Sequence, residues 1–220
     1  MVSKHLLSKG GVYYHMNLLI HRKESIILTT IDLIDKYGIH QISTREIAKK
    51  QNITEGAIYK HFKSKNELML GVLDYFSQYD SDLFLTAQQK ETTEEAIIFL
   101  VESLSSYYEN YPSITAVLLS LEIMRYDEAL KSKVEDIYST RFVFLKKIIQ
   151  RGQETGEIPP KLSSEMLTDI IIGTCVALCA RWRLQQYSFS LRGKCLEAVN
   201  TILGSFIQDK INPQRRESID

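Results

Sequence analysis

The chain has 220 residues, enough for one large domain or two unequal ones with a well-filled core. Apolar residues make up 44% and charged residues 25%, ordinary for a globular protein, while four prolines and ten glycines leave too little punctuation for an all-β fold. Lys+Arg and Asp+Glu both number 27, which excludes a chain-wide basic surface, so any contact with nucleic acid must come from local charge imbalance.

Residues 1–20 carry Lys4, His5, Lys9 and His15 around Gly10-Gly11, with no apolar run long enough for a secretory signal. They read as a flexible arm, or as an upstream start with Met16 as the alternative initiator. From Arg22 to Tyr37, Ile27, Ile31 and Ile34 recur at helical spacing beside Ile26 and Leu33, and Gly38 stands where a helix closes. Ser43-Thr44-Arg45-Glu46 is a capping box, in which Ser43 caps and Glu46 reaches back. Ile47 and Ala48 continue that helix to Gln51, and Asn52 suits a left-handed turn. Thr54 caps a further short helix through Phe62. Ser64-Lys65-Asn66-Glu67 is a second capping box, opening a longer helix with Leu68, Met69, Val72, Leu73 and Phe76.

Asp80 to Glu95 is polar in its second half and reads as containing the junction between domains. Helices are predicted beyond it near 94–109, 113–125, 127–152, 163–187 and 191–209, with breaks at Tyr111-Pro112, Tyr126-Asp127 and Thr155-Gly156 to Pro159-Pro160. Residues 211–220 read as a flexible tail. Neither a repeat nor a convincing strand stands out, and the chain reads as all-α. The longest apolar stretch, Ile170 to Ala180, is shorter than the roughly 20 residues a bilayer span needs, so it is expected to be a core helix.

Residues 42–68 carry the functional signal. Two short capped helices flank a tight turn, and Ile47, Ala48, Ile53, Ile58 and Phe62 can form the small core that holds them at a steep angle. Between Thr44 and Lys65 the cations are Arg45, Lys49, Lys50, Lys60, Lys63 and Lys65, against Glu46 and Glu55 alone. That local excess is what phosphate binding requires. The segment resembles the DNA-binding signature of the TetR family of transcriptional regulators. The parts that carry the resemblance are Ser43-Thr44-Arg45-Glu46-Ile47-Ala48, then Ala57-Ile58-Tyr59-Lys60-His61-Phe62, then Lys65-Asn66-Glu67-Leu68. Ser43 stands where the family usually has threonine, keeping the capping hydroxyl. Asn52 stands where it usually has glycine, and asparagine also tolerates positive φ.

The resemblance implies a three-helix helix-turn-helix domain over 21–67 and a larger helical effector-binding and dimerisation domain over 68–210. It implies that Ser43 and Tyr59 contact phosphates, with Thr44 a neighbouring hydroxyl sharing that role, and that Lys65 anchors the next helix on the DNA backbone. Arg45 can reach a guanine edge. Glu55, Gly56, Ala57 and Lys60, with His61 beside them, lie on or next to the recognition helix; the small residues let DNA backbone approach, and Glu55 can accept from a cytosine amine. Asn52-Ile53-Thr54 matches a glycosylation sequon, which without a secretion signal is chance.

In the larger domain, the segment 163–187 is apolar almost all round and the last helix has an apolar stripe. Two such helices suit a four-helix bundle shared by two copies, with Ile171, Leu178, Val199, Ile202 and Phe206 at the interface. They would equally complete the core of one chain. The resemblance further implies an effector pocket, for which Tyr107, Leu118, Phe142, Cys175 and Trp182 offer an aromatic and soft lining suited to an apolar ligand. Cys175 and Cys179 lie one helical turn apart, poorly aligned for a disulfide torsion, and are expected to be core thiols. Three cysteines without zinc-like spacing to the histidines fit a reduced cytoplasm, and no metal or cofactor is expected.

No Gly-rich phosphate loop, His/Glu metal pair or nucleophile motif is present, which disfavours an enzyme. The expected function is a homodimeric repressor released from operator DNA by a small, mostly apolar effector. A helical carrier of hydrophobic molecules, or a protein-binding adaptor, is the alternative; it leaves the ordered features between Ser43 and Lys65 without a purpose.

Overall fold

The structure is a computed structural model that describes the backbone of residues 22–211 and the side chains through Ser205. The arm expected over 1–20 and nearly all of the tail expected over 211–220 lie outside the described residues. All regular structure among the described residues is helical, as the sequence led us to expect. The helices are α1 (Arg22–Tyr37), α2 (Thr44–Gln51), α3 (Glu55–Tyr59), α4 (Lys65–Ser77), α5 (Asp80–Gln88), α6 (Thr93–Asn110), α7 (Ile114–Met124), α8 (Glu128–Glu154), α9 (Ser164–Leu184) and α10 (Leu191–Ile211). A 3-10 turn at Ile39–Gln41 joins α1 to α2. By packing, the chain divides into two compact units. One comprises residues up to Asp80 together with Tyr111–Tyr138, and the other Ser81–Asn110 with Ser139 onward. This is a division by contact, distinct from the division by role that the sequence suggests at residue 67.

The first unit holds α1 to α4, α7 and the start of α8. Its core is Ile26, Ile31, Ile34, Ile47, Ile58, Phe62, Leu68 and Leu73, joined by Ile114 and Val117 of α7 and by Leu130 and Val134 of α8. Gly38 ends α1 at φ 79°, ψ 157°, a backbone state that a Cβ would strain. The Gly38 N–H donates to Ile34 O at 2.9 Å.

The second unit packs α6, α9 and α10 with the later part of α8. Thr92 caps α6, accepting from the Glu95 N–H at 3.1 Å while Glu95 Oε2 accepts from the Thr92 N–H at 3.4 Å, a reciprocal capping box. Glu157, beyond the end of α8, accepts the next free N–H, that of Thr93, at 2.7 Å. Gly152 lets α8 cross there, since a Cβ would lie 2.7 Å from Thr93 Cγ2.

Two elements depart from the sequence reading. The stretch read as a junction, Asp80 to Glu95, holds a helix over its first half. Its side chains form no clean apolar stripe, and Leu85 is exposed. Tertiary packing selects the helix instead: Ala87 is buried and Phe84 stacks on Phe144 with ring centroids 4.1 Å apart. The second departure is the end of α9, which stops at Leu184 where the pattern suggested 187. The Tyr187 N–H donates to Trp182 O at 2.8 Å and the Gln186 N–H to Arg183 O at 3.0 Å. These are the paired bonds of a Schellman motif, and its usual apolar contact is the edge-on packing of Tyr187 against Trp182 at 4.6 Å. Gln186 occupies the left-handed position that glycine normally fills, at φ 52°, and Tyr187 follows at φ 62°.

A non-glycine residue in that conformation costs about 1 kcal/mol, partly offset by glycine's greater freedom in the unfolded chain. Gln186→Gly is therefore expected to raise stability by up to about 1 kcal/mol. Urea unfolding of both proteins reads this directly, and an unchanged or lower midpoint would show that the turn is unstrained.

Candidate nucleic-acid interface

The interface is built on α2, α3 and the turn between them, all within the first unit. α3 has five residues, too few to persist alone, so it forms because its ends and one face are held. Thr54 caps it, accepting from the Ala57 N–H at 3.2 Å, while Ile58 and Phe62 are buried, α3 packing on α2 and the Phe62 ring lying beside Gly71 of α4. The entry is set by Asn52, which takes the left-handed conformation at φ 53°, ψ 45° and so fills the place that glycine usually has. Its N–H donates to Lys49 O at 3.2 Å, and the Ile53 N–H to Ala48 O at 3.0 Å. Ile53 itself is half-buried, less covered than the expected small core supposed, whereas Ile47 and Ala48 are buried.

The other two expected N-caps form as well. Ser43 accepts from the Glu46 N–H at 3.2 Å and Ser64 from the Glu67 N–H at 3.1 Å. Glu67 reaches back one residue beyond the cap, to the Lys63 N–H. Gln51 ties the end of α2 to α1 through the Ser25 carbonyl at 2.9 Å and through Thr29.

With the framework fixed, the remaining side chains share one chemistry. Arg45, Lys49, Lys50, Lys60, His61, Lys63 and Lys65 are all exposed, and so are Glu55 and Gly56. Ser43, Thr44 and Ala57 are half-buried, and Tyr59 is 48% exposed although it is a large aromatic. Thr44 is not a free hydroxyl. It donates to Glu55 Oε2 at 3.0 Å and lies 3.4 Å from Tyr59 Oη, which links the first turn of α2 to both ends of α3. A Cβ on Gly56 would meet only Thr54 Oγ1, at 3.8 Å, so the fold does not need glycine there and the space outside it is open. Donors on a capped, rigid surface with open space above a glycine can accept a polyanion at close range.

Sequence reasoning missed Arg22 and Lys23. They open α1 and line a depression together with Glu24, Ile27 and His61, and Lys23 Nζ sits 5.1 Å from the centre of the buried Phe62 ring. Only the fold brings them beside α3; nothing in their local pattern does so.

The other expected sites are more scattered. Tyr107, Phe142 and Cys175 are half-buried and Trp182 is buried, all in the second unit, while Leu118, also half-buried, belongs to the first. The Trp182 N–H is engaged by Phe189 O at 2.8 Å, so this indole serves the turn after α9. Of the expected dimer contacts, Ile171 is 2% exposed and Val199 0%. Both are covered within the chain itself. Leu178 and Ile202 are half-buried, and the side chain of Phe206 lies outside the described residues. The uncovered apolar face of α9 is a different one: Met166 (58% exposed), Ile170, Gly173, Ala177 and Leu184 (85%). Among the described residues, no helix is long and apolar enough to cross a membrane.

Comparison with known proteins extends this picture along the chain. The family model for bacterial regulatory proteins of the tetR family matches residues 26–72, and that for the C-terminal region of YsiA-like proteins matches residues 75–205. The fatty acid metabolism regulator protein of Bacillus subtilis (strain 168) is 23% identical over 167 residues, 76% of this chain and 86% of that protein. Nucleoid occlusion factor SlmA of Shewanella sediminis (strain HAW-EB3) is 26% identical over 132 residues, 60% of this chain and 67% of that one. The crystal structure of the transcriptional regulator FadR from Bacillus subtilis in complex with stearoyl-CoA shares the fold, with a TM-score of 0.71 at 21% identity over 81% of this chain and 96% of that one. From its helix-turn-helix through most of its helical remainder, the chain belongs to the TetR family of bacterial regulatory proteins.

Proposed function

We propose that this regulator is a homodimeric repressor that binds operator DNA through α2, α3 and the start of α4 and leaves it when its second unit binds a long-chain acyl thioester of coenzyme A. The observation that carries the DNA reading is the exposed cationic face on a capped pair of helices, with open space above Gly56. On this reading Arg45, Glu55, Ala57 and Lys60 meet base edges or the groove wall, and Ser43, Tyr59, His61 and Lys65 meet phosphates. Thr44 orients Glu55 and Tyr59 through its hydroxyl. The two readers of a dimer match half-sites one helical turn apart, and the uncovered apolar stripe of α9 supports pairing of two copies. The ligand class rests on the likeness to the fatty acid metabolism regulator and to the stearoyl-CoA complex, together with the aromatic and thiol side chains half-buried in the second unit.

Titration of the protein against the DNA upstream of its own gene tests the reading. Sequence-selective, salt-sensitive binding is expected, and Tyr59→Ala with Lys65→Ala should weaken binding to every sequence alike while leaving the fold intact. Lys65→Ala alone should lower the salt-dependence slope by about 1. A folded protein without preference for that DNA or for a genomic library would remove the operator-binding claim.

Gly56→Ala separates fold from function. Alanine favours a helix over glycine by roughly 0.5–1 kcal/mol and nothing obstructs its methyl, so stability should rise. DNA affinity should fall tenfold or more, because the methyl enters the space a phosphate backbone needs. Unchanged affinity would mean that DNA does not approach α3 at this point.

Oleoyl-CoA or stearoyl-CoA added to the DNA complex should lower operator affinity at least tenfold, while unesterified coenzyme A should not. Release by neither, with DNA binding intact, would place the effector in another chemical class.

A further inference from the structure

Glu55 opens α3, the position from which the second helix of a helix-turn-helix reaches base edges. It is exposed on a face that also exposes Arg45, Lys49, Lys60 and Lys65, yet the ion pairs among the described residues do not include it. A hydroxyl holds it instead: Thr44 Oγ1 donates to Glu55 Oε2 at 3.0 Å. Thr44 has one hydroxyl proton, and a carboxylate cannot supply one. The 3.4 Å contact between Thr44 and Tyr59 is therefore a bond that the Tyr59 O–H donates. The order Tyr59 to Thr44 to Glu55 braces the carboxylate from α2 and from the far end of α3, while Glu55 Oε1 makes no hydrogen bond among the described residues.

A carboxylate at this place opposes every DNA sequence alike through its charge, since phosphates flank any base it can reach. An acid in the first turn favours a helix, but that benefit needs no tether to a second helix. The tether matters for a group that must meet a partner in one orientation. Ionised, a carboxylate accepts hydrogen bonds and donates none. In the major groove guanine shows two acceptors, and thymine an acceptor and a methyl, so neither offers it a donor. Adenine offers its N6 amine beside the N7 lone pair, which repels an anion. Cytosine offers its N4 amine with no acceptor on the same edge. A braced, acceptor-only group at the head of α3 therefore discriminates among all four bases.

We propose that Glu55 is a specificity-determining residue that selects cytosine at one position of each operator half-site, and that Thr44 is the positioning residue that holds it there. The selection presupposes the operator-binding reading and deepens it to one base and one atom, the N4 amine. One amine hydrogen of cytosine pairs with guanine; the other points into the major groove and is the one that Glu55 Oε1 accepts. Charge and contact then act together. A wrong base meets the repulsion without the compensating bond, so it is rejected more strongly than a neutral side chain would reject it.

The test is selection of binding sites from a random duplex library with the full-length protein, followed by titration of the selected site. Wild type is expected to favour cytosine at one position of each half-site by at least about fivefold over every other base. Glu55→Gln should lose that preference, or move it to adenine, whose N6 and N7 suit an amide, and should bind unselected DNA more tightly. Replacing that cytosine with N4-methylcytosine keeps the pair with guanine and blocks the groove hydrogen. The replacement should weaken wild-type binding at least about fivefold and Glu55→Gln binding less than about twofold. Thr44→Val should narrow the cytosine preference while the other positions keep theirs, and Thr44→Ser, which retains the hydroxyl, should restore it. A Glu55→Gln selection identical to that of wild type would overturn the proposal, as would wild-type binding indifferent to N4-methylcytosine at every selected cytosine. A wild type that selects no sequence at all removes the operator-binding reading itself, and the cytosine assignment with it.

Discussion

The reading surface of this protein depends on the burial of Ile58 and Phe62. α3 is a single turn and a half of helix, and no intrinsic propensity maintains a helix of that length in water. Its shape comes from outside itself: two apolar anchors set into the α1–α4 core, Thr54 at its start, and Asn52 holding the reversed chain direction. Truncating a core residue of this kind costs about 2–5 kcal/mol, a large part of a domain's stability. The residues that face outward are thus placed by the ones that cannot be seen from outside. Because the anchors belong to the same core as α7 and the start of α8, the reader is continuous with the elements packed behind it.

On that frame, charge is arranged locally. The chain as a whole is neutral, so the cations between Arg45 and Lys65 are balanced by acids elsewhere. The one acid on α3, Glu55, is the residue that Thr44 holds. An untethered carboxylate on a phosphate-facing surface would repel DNA and sample many orientations. Held by a hydroxyl that also adjoins Tyr59, it is restricted to a narrow range and keeps lone pairs for a partner outside the protein. The sequence suggested Thr44 as one more phosphate contact; its hydroxyl is already bonded to Glu55 and adjoins Tyr59, which supports the positioning role proposed for it above.

The first unit was largely legible because its signals are local. Ser43 and Ser64 announce their helices through bonds within three residues, and Asn52 announces the turn through its own backbone preference. The helix positions beyond residue 93 followed from periodicity to within a few residues. What stayed hidden depends on distant partners. α5 exists because Phe84 finds Phe144. The end of α9 is closed by Trp182 and Tyr187 around a glutamine, where pattern reading waits for glycine. The burial of the α9 side chains stayed hidden for a related reason. Apolarity around α9 says that several faces are covered, but not by what, and Ile171 faces the chain's own core while Met166 and Ile170 do not.

The same structure constrains how a ligand can act on DNA binding. The chain passes between its two units at Asp80–Ser81, Asn110–Tyr111 and Tyr138–Ser139, and the last of these lies inside α8. The start of α8 is buried in the first unit through Leu130, Val134 and Ile137, and its later part in the second through Leu145, Ile148 and Ile149. A ligand held by the second unit changes operator affinity only as far as it favours one arrangement of the protein over another. A hundredfold loss of operator affinity requires a difference of about 2.7 kcal/mol between the two states. Apolar contacts along an acyl chain are worth about 0.8 kcal/mol per buried methylene. A few methylenes covered in one arrangement and exposed in the other are then sufficient, and the acyl ligand proposed above carries many more than that.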